Sequence, residues 1–289
     1  MRVKFWGTRG SISTPGTETG KYGGNTACVE IDLDDGSILI IDGGMGLRKL
    51  GEAMMRTVFG GGKGEGHILF SHTHWDHIQG IPFFPPMYVP GNRFTIYGRG
   101  GKNGTIRKLL SGQMNDTYCP VPNFLDKGFG ANIEFKEIED GTFKIGAATI
   151  TAREIPHVPS VVCLGYRISD GKGTVAHISD VEYLEGTQGS PTIEMAQGAD
   201  ILIHDAQYTP EEYPAKRTWG HSHTDHAVEI ATSAGAKHVL FFHHDPEHTD
   251  AFIDGMVRSY RQRSGSDDAL EISAAAEGGE YWVGPRCTT

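Results

Sequence analysis

Four side chains able to hold a metal ion crowd into six residues at the end of an apolar run. Ile68-Leu69-Phe70-Ser71 leads directly into His72-Thr73-His74-Trp75-Asp76-His77. Any fold for this chain must therefore end a buried strand at a polar site and turn sharply there. Alternate side chains of an extended segment share a face, so His72 and His74 point the same way. Asp76 and His77 fall where the strand breaks and can face a second ion close by. Imidazole with carboxylate suits zinc first, with manganese or iron(II) as alternatives. A loop of surface histidines is the competing account, but such a loop has no reason to follow a buried apolar strand.

A site of two ions needs further donors, and the later strand ends offer them. His157 follows a strand and is held between Pro156 and Pro159. Asp180 ends the run Thr174-Val175-Ala176-His177-Ile178-Ser179, and a carboxylate there can bridge two cations. After the apolar strand 239–242 come His243 and His244, either of which completes the set. A lone strand-end Asp or His is more often structural; the dense first cluster gives the others their weight. Histidine is abundant, with fourteen copies in 289 residues. Four scattered cysteines, Cys28, Cys119, Cys163 and Cys287, form no C-x-x-C pair and read as reduced thiols.

Strand patterns occupy 2–7, 27–33, 37–42, 67–71, 93–98, 133–139, 143–155, 161–169, 173–179, 201–204, 238–242 and 270–274. Helical patterns occupy 45–56, 104–113, 192–198, 224–234 and 249–264. About twelve strands are too many for one ordinary sheet, so the pattern predicts an α/β fold with a two-sheet core under helices. The expected organisation is one domain over 1–289. Gly60–Gly66 is glycine-rich but lacks the Ser or Thr of a phosphate loop after Lys63, and reads as a flexible connector. Segment 111–126 is long and proline-containing; it reads as a surface loop, with a lid or a dimer contact as alternatives.

No apolar stretch approaches the roughly 20 residues that cross a bilayer, so no membrane partner is expected. Residues 1–6 alternate like a strand and lack the apolar core of a signal peptide, which makes the cytoplasm the default home. The net charge is −10. A protein that grips long nucleic acid usually shows a basic face, so long nucleic acid is disfavoured as a partner.

The residues resemble a known family. His72-x-His74-x-Asp76-His77 followed by His157, Asp180 and His243 looks like the ligand order of the metallo-β-lactamase superfamily, closest to its ribonuclease Z and cyclic-phosphodiesterase branch. Phe5-Trp6-Gly7-Thr8-Arg9-Gly10-Ser11, Gly23-Gly24-Asn25-Thr26 and Leu39-Ile40-Ile41-Asp42-Gly43-Gly44 resemble that branch's opening hairpins. The resemblance covers roughly 2–250. It implies a four-layer αβ/βα sandwich, two mixed β-sheets flanked by helices, with the site at one edge. It further implies that His72, His74 and His157 hold one divalent ion, that Asp76, His77 and His243 hold the other, and that Asp180 bridges them. Asp42 looks like the buried acid that braces the histidine loop. His204-Asp205-Ala206 resembles the branch's acid-bearing loop, with Asp in place of the usual Glu. Gly220-His221-Ser222 resembles the segment with its auxiliary histidine, although His223 stands where Thr is common and leaves two histidines in contention.

By that likeness Asp205 orients His221, which protonates a leaving alkoxide, while Asp76 helps orient the attacking water. The implied enzyme is a metal-dependent phosphoric diester hydrolase. Transfer-RNA-processing members insert a long arm between the third histidine and the bridging aspartate, but here His157 and Asp180 are only 23 positions apart. The expected substrate is therefore a small phosphodiester, a cyclic nucleotide or similar. Cleavage at RNA 3′ ends, or of a thioester or lactone, is the alternative. The resemblance also suggests a homodimer. Among the remaining residues, Ser222-x-x-Asp225 matches a capping box, His226 is expected to face solvent, and His67, His177, His204, His238 and His248 read as satisfied or exposed histidines rather than ligands.

Overall fold

The computed structural model describes residues 1–119, 125, 130–184, 190–263 and 270–284. Fourteen strands form two seven-stranded sheets among those residues. The first sheet holds β1 (Arg2–Gly7), β2 (Cys28–Asp32), β3 (Ile38–Ile41), β4 (Glu65–Leu69), β5 (Arg93–Gly98) and β6 (Asn132–Glu137) in sequence order. A last strand, β14 (Glu280–Trp282), pairs antiparallel with the outer edge of β1. The second sheet holds β7 (Gly141–Ile145), β8 (Ala148–Ile155), β9 (Cys163–Ser169), β10 (Thr174–Ile178), β11 (Ile201–Asp205), β12 (His238–Phe242) and β13 (Glu271–Ala274). Each sheet is mixed: β3 to β6 run parallel, as do β10 to β13, and the other pairings are antiparallel.

Strand alternation sorts the apolar residues into three cores. In β12, Leu240 and Phe242 face the space between the sheets, while Val239 and Phe241 face the outer helices. The inner core joins Val3, Phe5, Ile31 and Leu69 of one sheet to Ile150, Leu164, Tyr166 and Ile203 of the other. Outside the first sheet lie α1 (Gly46–Met54) and α3 (Ile106–Gly112), which bury Leu47, Leu50, Ile106 and Leu110. Between them in sequence comes the single turn α2 (Trp75–Ile78). Outside the second sheet lie α4 (Ser190–Ala196), α6 (Thr224–Ala234) and α7 (Asp250–Arg263); α5 (Tyr213–Lys216) is a single turn. The result is the expected four-layer α/β sandwich. No helix among the described residues is long and apolar enough to cross a membrane.

Several expectations need correction. The predicted strand 143–155 is a hairpin, β7 and β8, turned at Gly146 with φ 53°. Apolar positions shift phase there, from Phe143 and Ile145 to Ala148 and Ile150. The short β14 went unseen because three residues carry too little alternation to register. Residues 58–61 form a 3-10 turn, and Phe59 packs on Gly64, so the glycine-rich connector is packed rather than loose. The capping box does not form: His223 is the N-cap, the Ser222 hydroxyl donates to Val181 O, and Asp225 accepts from Tyr260. His226 is half-buried against His223 and Tyr183. The cysteines Cys28, Cys119 and Cys163 are free thiols; Cys287 lies outside the described residues, as do 120–124 and 126 of the 111–126 segment.

Candidate metal centre

All seven sequence-proposed ligands meet at one edge of the sandwich, where the two sheets end side by side. The first sheet supplies His72, His74, Asp76 and His77 from the segment after β4. The second supplies His157 after β8, Asp180 after β10 and His243 after β12. One donor atom each from His72, His74, His157 and Asp180 lies within 4.8 Å of the others, and the same holds for Asp76, His77, Asp180 and His243. Asp180 belongs to both groups. Its Oδ2 is 3.6 Å from His72 Nε2, while its Oδ1 is 3.3 Å from His77 Nε2 and 3.4 Å from His243 Nε2. The carboxylate thus offers one oxygen to each group.

The strands are turned into this edge by unusual backbone. Only five described non-glycine residues have positive φ, and four of them border the site: Ser11 at 63°, Asp42 at 62°, Asp180 at 59° and His243 at 62°. Left-handed backbone costs an L-residue about 1–2 kcal/mol. At Asp42, Asp180 and His243 it follows the end of a strand and turns the side chain into the gap, while at Ser11 it aims the backbone amide at Asp76. Two glycines make room. A Cβ on Gly10 would meet His243 Nδ1 at 2.4 Å, and one on Gly220, whose φ is 89°, would meet His157 Nδ1 at 2.4 Å.

An outer set of acceptors fixes each ring. His77 Nδ1 donates to Asp42 Oδ2 at 2.8 Å, and His72 Nδ1 faces the Ser71 hydroxyl at 3.0 Å, which in turn donates to Asp42. His157 Nδ1 donates to Gly220 O at 2.7 Å and His243 Nδ1 to Gln207 Oε1 at 2.9 Å. With Nδ1 committed to these partners, Nε2 is the atom of each ring that points inward, a bare lone pair whenever the ring is neutral. His77 Nε2 and His243 Nε2 then face each other at 3.2 Å, with Asp76 Oδ2 only 3.0 Å from the latter. His157 Nε2 meets His74 Nδ1 at 3.2 Å, and the buried His72 Nε2 has no hydrogen-bond partner among the described residues. Lone pairs and carboxylates converging in a dry pocket repel one another unless positive charge lies among them, either the proton on His77 or bound cations. The donor set fits two divalent ions.

The electrostatics agree. Burial favours the neutral ring at His72, His74 and His157, the last lowered to about 4, which leaves them ready as ligands. Burial would also discharge His77, but Asp180, Asp76 and Asp42 outweigh it and hold the ring charged in the metal-free protein. Asp180 and Asp76 resist burial's upward push and stay well below the usual carboxylate range, held there by His77 and His243. Three buried carboxylates around one imidazole call for added positive charge.

Beside the bridging carboxylate sits the second sequence-proposed pair. His221 Nδ1 donates to Asp205 Oδ2 at 2.9 Å and lies 3.9 Å from Asp180 Oδ2. Burial opposes its charge, but Asp205, its hydrogen bond, Asp180 and Asp76 lift it to about 9. His223 is elsewhere, stacked on His226 at 3.7 Å between ring centroids. His244 is a buried brace, its Nε2 donating to Ala275 O at 2.9 Å.

Three supporting residues escaped the sequence reading. Ser71 relays Asp42 to His72, and Gln207 holds His243. Glu182, 4% exposed, accepts from Tyr213 OH, Thr218 N and Gly220 N. It thereby pins the loop that presents Gly220 O to His157 and carries His221. Each stands next to or two residues beyond a site residue, the one signal that could have found them.

A family model described as the beta-lactamase superfamily domain matches residues 39–244, and the chain belongs to that superfamily. The ribonuclease Z of Haloarcula marismortui is 24% identical over 291 aligned positions, covering 84% of this chain and 86% of the relative. The metallo-beta-lactamase fold protein YhfI from Bacillus subtilis matches with a TM-score of 0.68 at 23% identity over 98% of both chains. A diphosphatase from the PhnP family matches with a TM-score of 0.67 at 20% identity over 99% of both. Family, fold and donor set together make the protein a metal-dependent hydrolase.

Proposed function

We propose that this protein hydrolyses a small phosphodiester, a cyclic nucleotide or another cyclic phosphate, with two divalent ions held by His72, His74, Asp76, His77, His157, Asp180 and His243. The observation that carries the reading is the Asp205–His221 pair set against Asp180. Two dications, when bound, supply an activated water and neutralise charge on the phosphoryl oxygens. What then remains difficult is the departure of a poor alkoxide, which needs a proton. Asp205 holds the His221 ring oriented and charged at neutral pH, with Nδ1 engaged and Nε2 free to donate. A thioester or lactone has less use for such a donor. Asp76, fixed by the Ser11 amide at 2.8 Å, helps orient the attacking water.

A second reading, cleavage of RNA at 3′ ends, is favoured by the name of the Haloarcula relative, a ribonuclease Z. Against it stand the 23-residue spacing from His157 to Asp180 and the net charge of −10. The test is a panel on zinc- and manganese-loaded protein: 3′,5′- and 2′,3′-cyclic nucleotides, a precursor transfer RNA, a thioester and a lactone. Metal-dependent opening of a cyclic nucleotide is expected, with Asp76→Ala slower by orders of magnitude. Turnover of the thioester or lactone alone would overturn the proposal, and turnover of the RNA alone would select the second reading.

A further inference from the structure

The ligand segment has two sides. His72, His74 and Asp76 turn toward the metal centre, while Thr73 and Trp75 between them line a separate cleft of about 740 Å³. Its wall continues through Ile78, Pro82, Phe83 and Tyr118. Trp75, Phe83 and Tyr118 are 79%, 55% and 85% exposed, although aromatic rings of this size are normally buried. Among the described residues no charged side chain lines this cleft, whereas four other clefts on the molecule each carry several. Gln113 also lines it, and its Nε2 is buried without a hydrogen-bond partner among the described residues. The described residues of the cleft offer flat apolar faces and an unused amide donor, and none of them is charged.

We infer that this cleft receives the nucleobase of the substrate, stacked on Trp75 and flanked by Phe83, while its phosphate lies at the metal centre. The inference rests on the phosphodiester reading and narrows it to nucleoside phosphodiesters. Continuity with the ligand segment selects this occupant. Trp75 is flanked in the chain by the ligands His74 and Asp76, so its backbone is one Cα step, about 3.8 Å, from that of each. A base has a π-face whatever its identity, so stacking on Trp75 tolerates several bases. Gln113 Nε2 can donate to a ring nitrogen or carbonyl at the base edge.

The test compares two substrates on zinc-loaded protein: adenosine 2′,3′-cyclic phosphate and the same cyclic phosphate on 1-O-methylribose, which lacks the base. Stacking of one base corresponds to roughly tenfold or more in selectivity. The wild type is expected to prefer the adenosine substrate by about that factor in kcat/KM, mostly through KM. Trp75→Ala should collapse the ratio, Trp75→Phe should restore most of it, and Phe83→Ala, farther from the ligands, should lower it. Equal rates on the two substrates would overturn the cleft while leaving the phosphodiester reading intact. So would a preference that all three variants retain, or a Trp75-dependent dimer with unaltered selectivity. If neither substrate opens, the phosphodiester reading itself fails. Binding of adenosine monophosphate to wild type and Trp75→Ala then decides the cleft alone: about tenfold weaker binding in the variant supports it, and equal binding refutes it.

Discussion

Asp42→Asn tests whether the outer acceptors build the metal centre or merely surround it. Asp42 is fully buried; it accepts from the Ser71 amide at 2.8 Å, from the Ser71 hydroxyl and from His77 Nδ1 at 2.8 Å. Asparagine has the same shape and tolerates the left-handed backbone at this position, so the chain path survives. The amide keeps one acceptor oxygen and gains a donor, which must face either the Ser71 N–H or the His77 Nδ1–H. If it faces His77, the ring flips its proton to Nε2 and loses its inward lone pair. If it faces Ser71, the strand end separates and His72 shifts with it. Removal of such an outer partner costs about 10- to 100-fold in metal affinity, or roughly 1.4–2.7 kcal/mol. The unsatisfied buried donor lowers stability by a further 1–3 kcal/mol or so. Competition titration with a zinc chelator, read beside thermal unfolding of the metal-free protein, separates the two effects. Affinity within about twofold of wild type, with two ions bound, would refute the argument that Asp42 sets the His77 tautomer.

Three further outcomes are expected. Asp205→Asn should return His221 from about 9 toward or below its ordinary value. At pH 8 a histidine near 6.5 keeps only about 3% of its protons, so kcat should fall about thirtyfold there and less at pH 6; a parallel loss at both pH values would refute the proton-donor role. The sign for stability follows from a raised pKa: the pair's contribution to the metal-free fold is complete below about 6.5 and lost as pH rises through about 9. Thermal unfolding of wild type against Asp205→Asn at pH 6 and 10 checks this. Glu182→Gln puts an amide donor against the Thr218 or Gly220 N–H, and should lower kcat about tenfold with a folded protein; a change confined to the melting temperature would make Glu182 only structural. Zinc at about 100 times its Kd should raise the melting temperature by on the order of 5–10 °C over chelated protein, measured by calorimetry.

Local density explains what could be read from the chain. His72 to His77 announce themselves because four donors follow one buried strand, and no fold is needed to bring them together. His157, Asp180 and His243 stand alone in the sequence; their strand-end positions made sense only beside that cluster. The choice of His243 over His244 and of His221 over His223 depends on which neighbour turns inward, decided by left-handed backbone at His243 and by Asp205 at His221. Gln207 and Glu182 were silent because their partners come from loops remote in sequence. The apparent capping box at Ser222 failed because Val181 O, brought in by the adjacent strand end, competes for the hydroxyl.

The pairing of β14 with β1 has a consequence for synthesis on the ribosome. The first sheet is otherwise finished once residue 137 is made, but the outer edge of β1 has no partner until residues 280–282 emerge. For the time it takes to translate the second sheet, a strand with Val3 and Phe5 on one face presents open amides and carbonyls to its surroundings. Such an edge invites pairing with another nascent chain. Lys4, which pairs with Glu280 in the finished molecule, stands on that edge without this partner meanwhile, whereas Arg2 already has Asp32 of β2. A lysine on an open strand edge disfavours such pairing until the last strand arrives.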